Sequence, residues 1–152
     1  MPWVAEGEQF HEYRGMHQPF VDPDEAGIHN MEQLFPEDVY THPHFYAHGE
    51  PHVQREAFQQ LRKARGNPSA QIDIYRAVPH GVTAINYGDW VTTSAAYARE
   101  HGARTDDPTE DWPVLHATVE ARHIATGGSD VLEWGYRGPT ISNARVHFRG
   151  GA

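Results

Sequence analysis

The sequence predicts an α+β fold with a mixed or antiparallel sheet, few helices and a loop-rich N-terminal extension. Three observations predict it. Short alternating runs recur between residues 72 and 148, one helical stripe precedes them, and the first fifty residues carry turn chemistry with weak periodicity. The 152 residues suit a single domain large enough to bury a core. Within it, residues 1–50 read as a segment wrapping the core and residues 51–152 as the core itself.

In the N-terminal segment the punctuation is dense: Pro19, Asp22-Pro23-Asp24, Gly27, Pro36 and Pro43. Val53, Ala57, Phe58, Leu61 and Ala64 then form one helical stripe, closed by basic residues and by Gly66-Asn67-Pro68. From Ile72 the period changes to two. Ile72, Ile74, Arg76 and Val78 fall on one strand face, and Asp73, Tyr75 and Ala77 on the other. Asn86-Tyr87-Gly88-Asp89 signals a turn into a second strand, Trp90 to Ser94. AAYAREHG follows as a short helix, with Ser94 as its N-cap and Gly102 as its stop. Val114 to Ala121 alternates again. After the Gly127-Gly128 turn, Val131, Glu133 and Gly135 share one face while Leu132, Trp134 and Tyr136 share the other, and Ile141 to Phe148 supplies a last alternating run.

Three residues stand out chemically. Arg76 shares a face with aliphatic side chains; its guanidinium cannot lose its proton, so there it meets a carboxylate, meets an anionic ligand, or runs its stem out to water. Ser94 is a helix cap, a role that leaves a second one open. Glu133 lies between bulky residues and beside Gly135, a setting in which a carboxylate is either paired or kept for chemistry.

Tyr75-Arg76, Thr92-Thr93-Ser94 with the helix through Tyr97, and Glu133, in that order, resemble the Arg-Ser-Glu class of ADP-ribosyltransferases. In that class a strand carrying Tyr-Arg is followed by a Ser/Thr-rich strand leading into a helix, then by a strand bearing the catalytic Glu. The resemblance spans Ile72 to about Tyr136, a little under half the chain, and its motifs are short, so the specificity lies in their order and spacing. It implies an ADP-ribosyltransferase-like core that binds NAD and cleaves its nicotinamide-ribose bond. Glu133 would stabilise the oxocarbenium-like centre and bond the ribose hydroxyl, Ser94 would orient Glu133, and Arg76 would hold a phosphate or ribose. Tyr75, Thr92 and Thr93 accompany them as cofactor-binding positions, and Tyr97, Trp90 or Trp134 would stack on the nicotinamide. Two positions depart from the pattern. Val131 stands where many protein-modifying members carry a second Glu or Gln, which points away from an arginine acceptor and toward another acceptor or water. Tyr13-Arg14-Gly15 offers Arg14 as a competitor for the Arg role. The chain also resembles small domains of phage and prophage proteins, implying a toxin-like place in phage-host conflict.

Composition excludes other chemistries. The chain has no cysteine, so thiol catalysis, disulfides and zinc-thiolate sites are out. The net charge of -9 repels phosphate backbones, so the expected macromolecular acceptor is a protein rather than a nucleic acid. Neither G-x-G-x-x-G nor G-x-x-x-x-G-K-[ST] nor G-x-S-x-G occurs. His42, His44, His48 and His52 cluster within eleven residues; a metal site needs three or four converging ligands, and a pH-sensitive surface is the other reading, so no metal is assigned. Asp22 to Gln33 lacks the Glu that a calcium loop requires at its last position. A glycosidase pairing of Glu133 with Asp130 has no fixed separation in adjacent strand positions. No stretch reads as a leader or membrane span, so a cytoplasmic protein without membrane attachment is expected. The alternatives to a transferase are an NAD glycohydrolase, and a non-catalytic nucleotide- or protein-binding module on the same fold.

Overall fold

The computed structural model describes residues 26–31, 37–46, 51–103, 105–126 and 131–150. The helical stripe forms α1, Pro51–Ala64. It begins two residues before Val53 because a proline at the first helical position gives up an N–H that would have no intrahelical partner anyway. Val53, Ala57, Leu61 and Ala64 are buried, with Phe58 half-buried beside them.

Strand β1, Gln71–Ala77, follows the expected alternation: Ile72, Ile74 and Arg76 are buried, and Asp73, Tyr75 and Ala77 are half-buried. It pairs antiparallel along its whole length with β3, Val114–Glu120, from Gln71 opposite Glu120 to Ala77 opposite Val114. On the far side of β3 lies the short β6, Arg145–Phe148. A second antiparallel sheet has the order β2-β5-β4, from β2, Trp90–Val91, through β5, Trp134–Tyr136, to β4, Ile124–Thr126. The two sheets meet where Tyr75 and Thr92 exchange backbone hydrogen bonds of 2.8 and 2.9 Å. Thus β1 and β2 lie side by side, with β5 the next neighbour.

All strand pairs among the described residues are antiparallel. Three strands are shorter than their sequence runs by more than one residue. Ser94 leaves the second strand to cap a helix, and Ile141 bridges to Ile85 instead of continuing β6. Residues 131–132 form a turn, so Glu133 stands just before β5 rather than inside a strand. The reason is packing: Leu132 fits against Val53 and Ala57 of α1, whereas Trp134 and Tyr136 enter the main core.

Part of the N-terminal segment closes that core. Ile28, Met31, Val39 and Tyr40 pack with Ile72, Ile74, Leu115 and Ile124, and Gly27 bridges to Ala125 on β4. The Tyr40 hydroxyl donates to the Ile28 carbonyl at 2.7 Å and accepts from the Met31 N–H at 2.9 Å, which satisfies three polar groups in an apolar setting. Among the described residues of this segment, Ile28, Met31, Val39 and Tyr40 are buried in the core.

Candidate active site

The site is built around α2, Ala95–Gly102. Ser94 has extended backbone angles, φ -121° and ψ 118°, and its Oγ accepts the Tyr97 N–H at 3.1 Å, as an N-cap does. The helix turns Ala95, Ala98 and Gly102 inward. A Cβ at Gly102 would sit 3.3 Å from the Ala77 Cβ and 3.2 Å from the Trp112 carbonyl, so the missing side chain allows the end of α2 to approach β1 closely. Tyr97 and His101, four residues apart, share a flank, with ring centroids 4.6 Å apart.

Both of these side chains reach Glu133, which is 35% exposed. The Tyr97 hydroxyl donates to Glu133 Oε2, and His101 Nε2 lies 3.5 Å from the same oxygen. The His101 hydrogen bond is the main influence that holds the Glu133 carboxyl below the usual glutamate range; burial pushes the other way, and Tyr97 adds to the lowering. The result is an ionised, half-buried carboxylate oriented by two aromatic side chains.

Ser94 was expected to orient Glu133, and its side-chain hydrogen bonds are made instead with Glu56 and with the Tyr97 N–H. Its hydroxyl has one proton, which goes to Glu56 Oε1 on α1 at 2.9 Å; the same oxygen accepts the Ala96 N–H at 3.1 Å. The side chains that contact the Glu133 carboxylate are those of Tyr97 and His101.

Arg76 meets a carboxylate, one of the three settings that its strand face allowed. It is 7% exposed, its Nη1 donates to the Trp90 carbonyl at 2.7 Å, and its Nε lies 3.5 Å from Oδ2 of the fully buried Asp89. Asp89 is delivered by the turn that the sequence announces: Asp89 N–H donates to the Asn86 carbonyl, Gly88 takes φ 90°, and Asn86 N–H donates back to Asp89 Oδ2 at 2.8 Å. A carboxylate and a backbone carbonyl thus face this guanidinium. Arg76 secures the junction of β1 and β2 from inside the core.

Protein-family models, curated proteins and solved structures were compared with the chain, and none matches.

The remaining candidates divide by burial. Trp134 is fully buried in the core, which leaves no ring face for a nicotinamide. Thr92 is 5% exposed in the ladder with Tyr75, and Thr93 is 1% exposed, so neither offers its side chain to a ligand at the surface. Tyr75 is half-buried on the strand face opposite Arg76, stacked on His116 at 5.0 Å, and Trp90 is half-buried on β2. Of the stacking candidates, Tyr97 is the one in contact with Glu133. Arg14, Asp130, His48 and the Gly127-Gly128 turn lie outside the described residues, as does the side chain of His52. The rings of His42 and His44 are 5.9 Å apart, and among the described residues no group of three or more His, Asp or Glu is placed to hold a metal. Also among the described residues, no helix is long and apolar enough to cross a membrane.

Sequence reasoning missed Glu56, Asp89 and His101. His101 was within reach, since its spacing from Tyr97 puts both on one helical flank. Asp89 carried no burial signal, since it sits in a turn, where a polar residue is ordinarily exposed. Glu56 carried none, being thirty-eight residues from Ser94 on a separate helix.

Proposed function

We propose that this protein is an NAD-dependent ADP-ribosyltransferase that cleaves the nicotinamide-ribose bond, with Glu133 as its electrostatic catalyst. One observation carries the reading. An ionised carboxylate is held half-buried at the lip of β5 by a phenol and an imidazole, beside a Ser-capped helix that follows the strand next to β1. Departure of nicotinamide leaves positive charge on the ribose, and a fixed anion close to it lowers the barrier without forming a bond. Tyr97 lies against that carboxylate and supplies an aromatic face for the nicotinamide, while His101 keeps Glu133 ionised. Arg76 holds the scaffold, and Ser94 fixes the start of the helix that carries Tyr97.

Val131 favours a second reading for the acceptor. It is 2% exposed within the core, so the position of a second acid is occupied by packing. Water or a non-arginine protein side chain then takes the ADP-ribose. Incubation with NAD labelled in its adenosine, with and without a cell extract, tests the choice. Label incorporated into extract protein, absent with Glu133→Gln, supports transfer; free ADP-ribose alone means a glycohydrolase. NAD binding without turnover by the wild type would leave a binding module.

A further inference from the structure

We infer that Glu56, on α1, is a positioning residue for the proposed NAD-cleaving site: it locks the first turn of α2 and so sets Tyr97 against Glu133. The inference rests on the reading of Glu133 as catalyst, but its geometry can be tested without turnover.

A glutamate on a helix surface ordinarily faces solvent or pairs along its own helix. Glu56 instead reaches a different helix. Its Oε1 accepts the Ser94 hydroxyl at 2.9 Å and the Ala96 N–H at 3.1 Å. Ala96 N–H is one of the donors that the start of a helix leaves without an intrahelical acceptor, so Glu56 and Ser94 cap α2 jointly: Ser94 takes the Tyr97 N–H and Glu56 takes the Ala96 N–H. The negative charge also opposes the positive end of the helix dipole.

The consequence extends to the site. With its proton given to Glu56 and a lone pair given to Tyr97 N–H, the Ser94 hydroxyl has a single orientation. That fixes the backbone of Tyr97, whose hydroxyl donates to Glu133. Four residues from three segments thus form one chain: Glu56, Ser94, Tyr97, Glu133. Below it, Val53 and Ala57, the neighbours of Glu56 on α1, pack on Leu132, the neighbour of Glu133, with Ala96 and Tyr97 against the same cluster. Helix α1 therefore holds both ends of the chain, one by hydrogen bonds and the other by apolar contact.

The test compares Glu56→Gln, Glu56→Asp and Glu56→Ala. Gln keeps an oxygen at the same reach and loses the charge; Asp keeps the charge and withdraws the oxygen by one methylene. Positioning predicts that E56Q stays close to wild type while E56D and E56A lose about tenfold to a hundredfold in kcat for nicotinamide release, with KM little changed. In parallel, the Glu133 carboxylate is titrated by carbon NMR. In E56D and E56A it should move up toward the ordinary glutamate value, and in E56Q it should not. An unmoved Glu133 titration in folded E56D overturns the inference, as does loss of turnover in E56Q equal to that in E56D. If the wild type releases no nicotinamide yet the Glu133 titration moves as stated, the positioning holds and the NAD reading fails.

Discussion

At Arg76 and Asp89 two opposite charges enter the core together, and their value is felt when one is removed. Arg76→Ala would leave a fully buried carboxylate without its guanidinium, a loss of about 3–5 kcal/mol by the usual cost of breaking a buried pair. Urea unfolding of the variant beside the wild type measures it; a change within error would mean that Arg76 is not structural. Strand alternation was enough to see that Arg76 points inward. It could not name the partner, because Asp89 sits where a turn signal ordinarily means exposure, and only the Gly88 conformation and the Asn86 bond fold it under. At Glu133 the same kind of reading identified a carboxylate in an aromatic setting but not the aromatic that touches it: Trp134 is its neighbour in sequence, and Tyr97 is its neighbour in space.

Helix α2 is only eight residues long, too short to hold itself by propensity. Its ends and its packing decide it. Ser94→Ala removes the acceptor for Tyr97 N–H and should cost about 1 kcal/mol in urea unfolding. Because the same hydroxyl donates to Glu56, the cost should shrink when Glu56 is already Ala, which a double-mutant cycle reads directly. Strictly additive effects would argue that the two caps act separately. The elements with strong periodicity, α1 and β1, were legible from the chain to within a few residues. Strand β5 was not: an alternating run cannot report that Leu132 packs on a helix while Trp134 packs in the main core.

For the whole molecule, acid and base act through different groups. Glu133 and Asp73 both titrate below their ordinary values of 4.5 and 3.8, Glu133 through His101 and then Tyr97, and Asp73 because hydrogen bonds from His116 and Thr118 outweigh its burial. A carboxyl with a lowered folded value contributes stability that is present above its unfolded value and is lost as pH falls through the folded one. Thermal stability should therefore hold down to about pH 4.5 as far as these two groups are concerned, and fall below it. Neutralising either with Gln or Asn should flatten that acid limb. At the alkaline end, burial pushes the Tyr136 phenol up to about 12. The unfolded chain ionises this group near 10, so the stability it contributes is complete below 10 and is lost as pH rises toward 12. A spectrophotometric titration should show a late phenolate step that Tyr136→Phe removes. The α+β class was foreseeable, since a helical stripe is followed by short alternating runs separated by turn residues. The joining of two three-stranded sheets through Tyr75 and Thr92 was not, because register between distant strands leaves no mark in local periodicity.

The most direct measurement is the initial rate of nicotinamide release at saturating NAD by the wild type and by Glu133→Gln, with melting temperatures taken on the same samples. An electrostatic catalyst at Glu133 requires release by the wild type and a fall of about a hundredfold to a thousandfold in a variant that melts only slightly lower, by the stability its ionised carboxylate contributes, and is still folded at the assay temperature. Equal rates in the two proteins, or no release by the wild type, would contradict it.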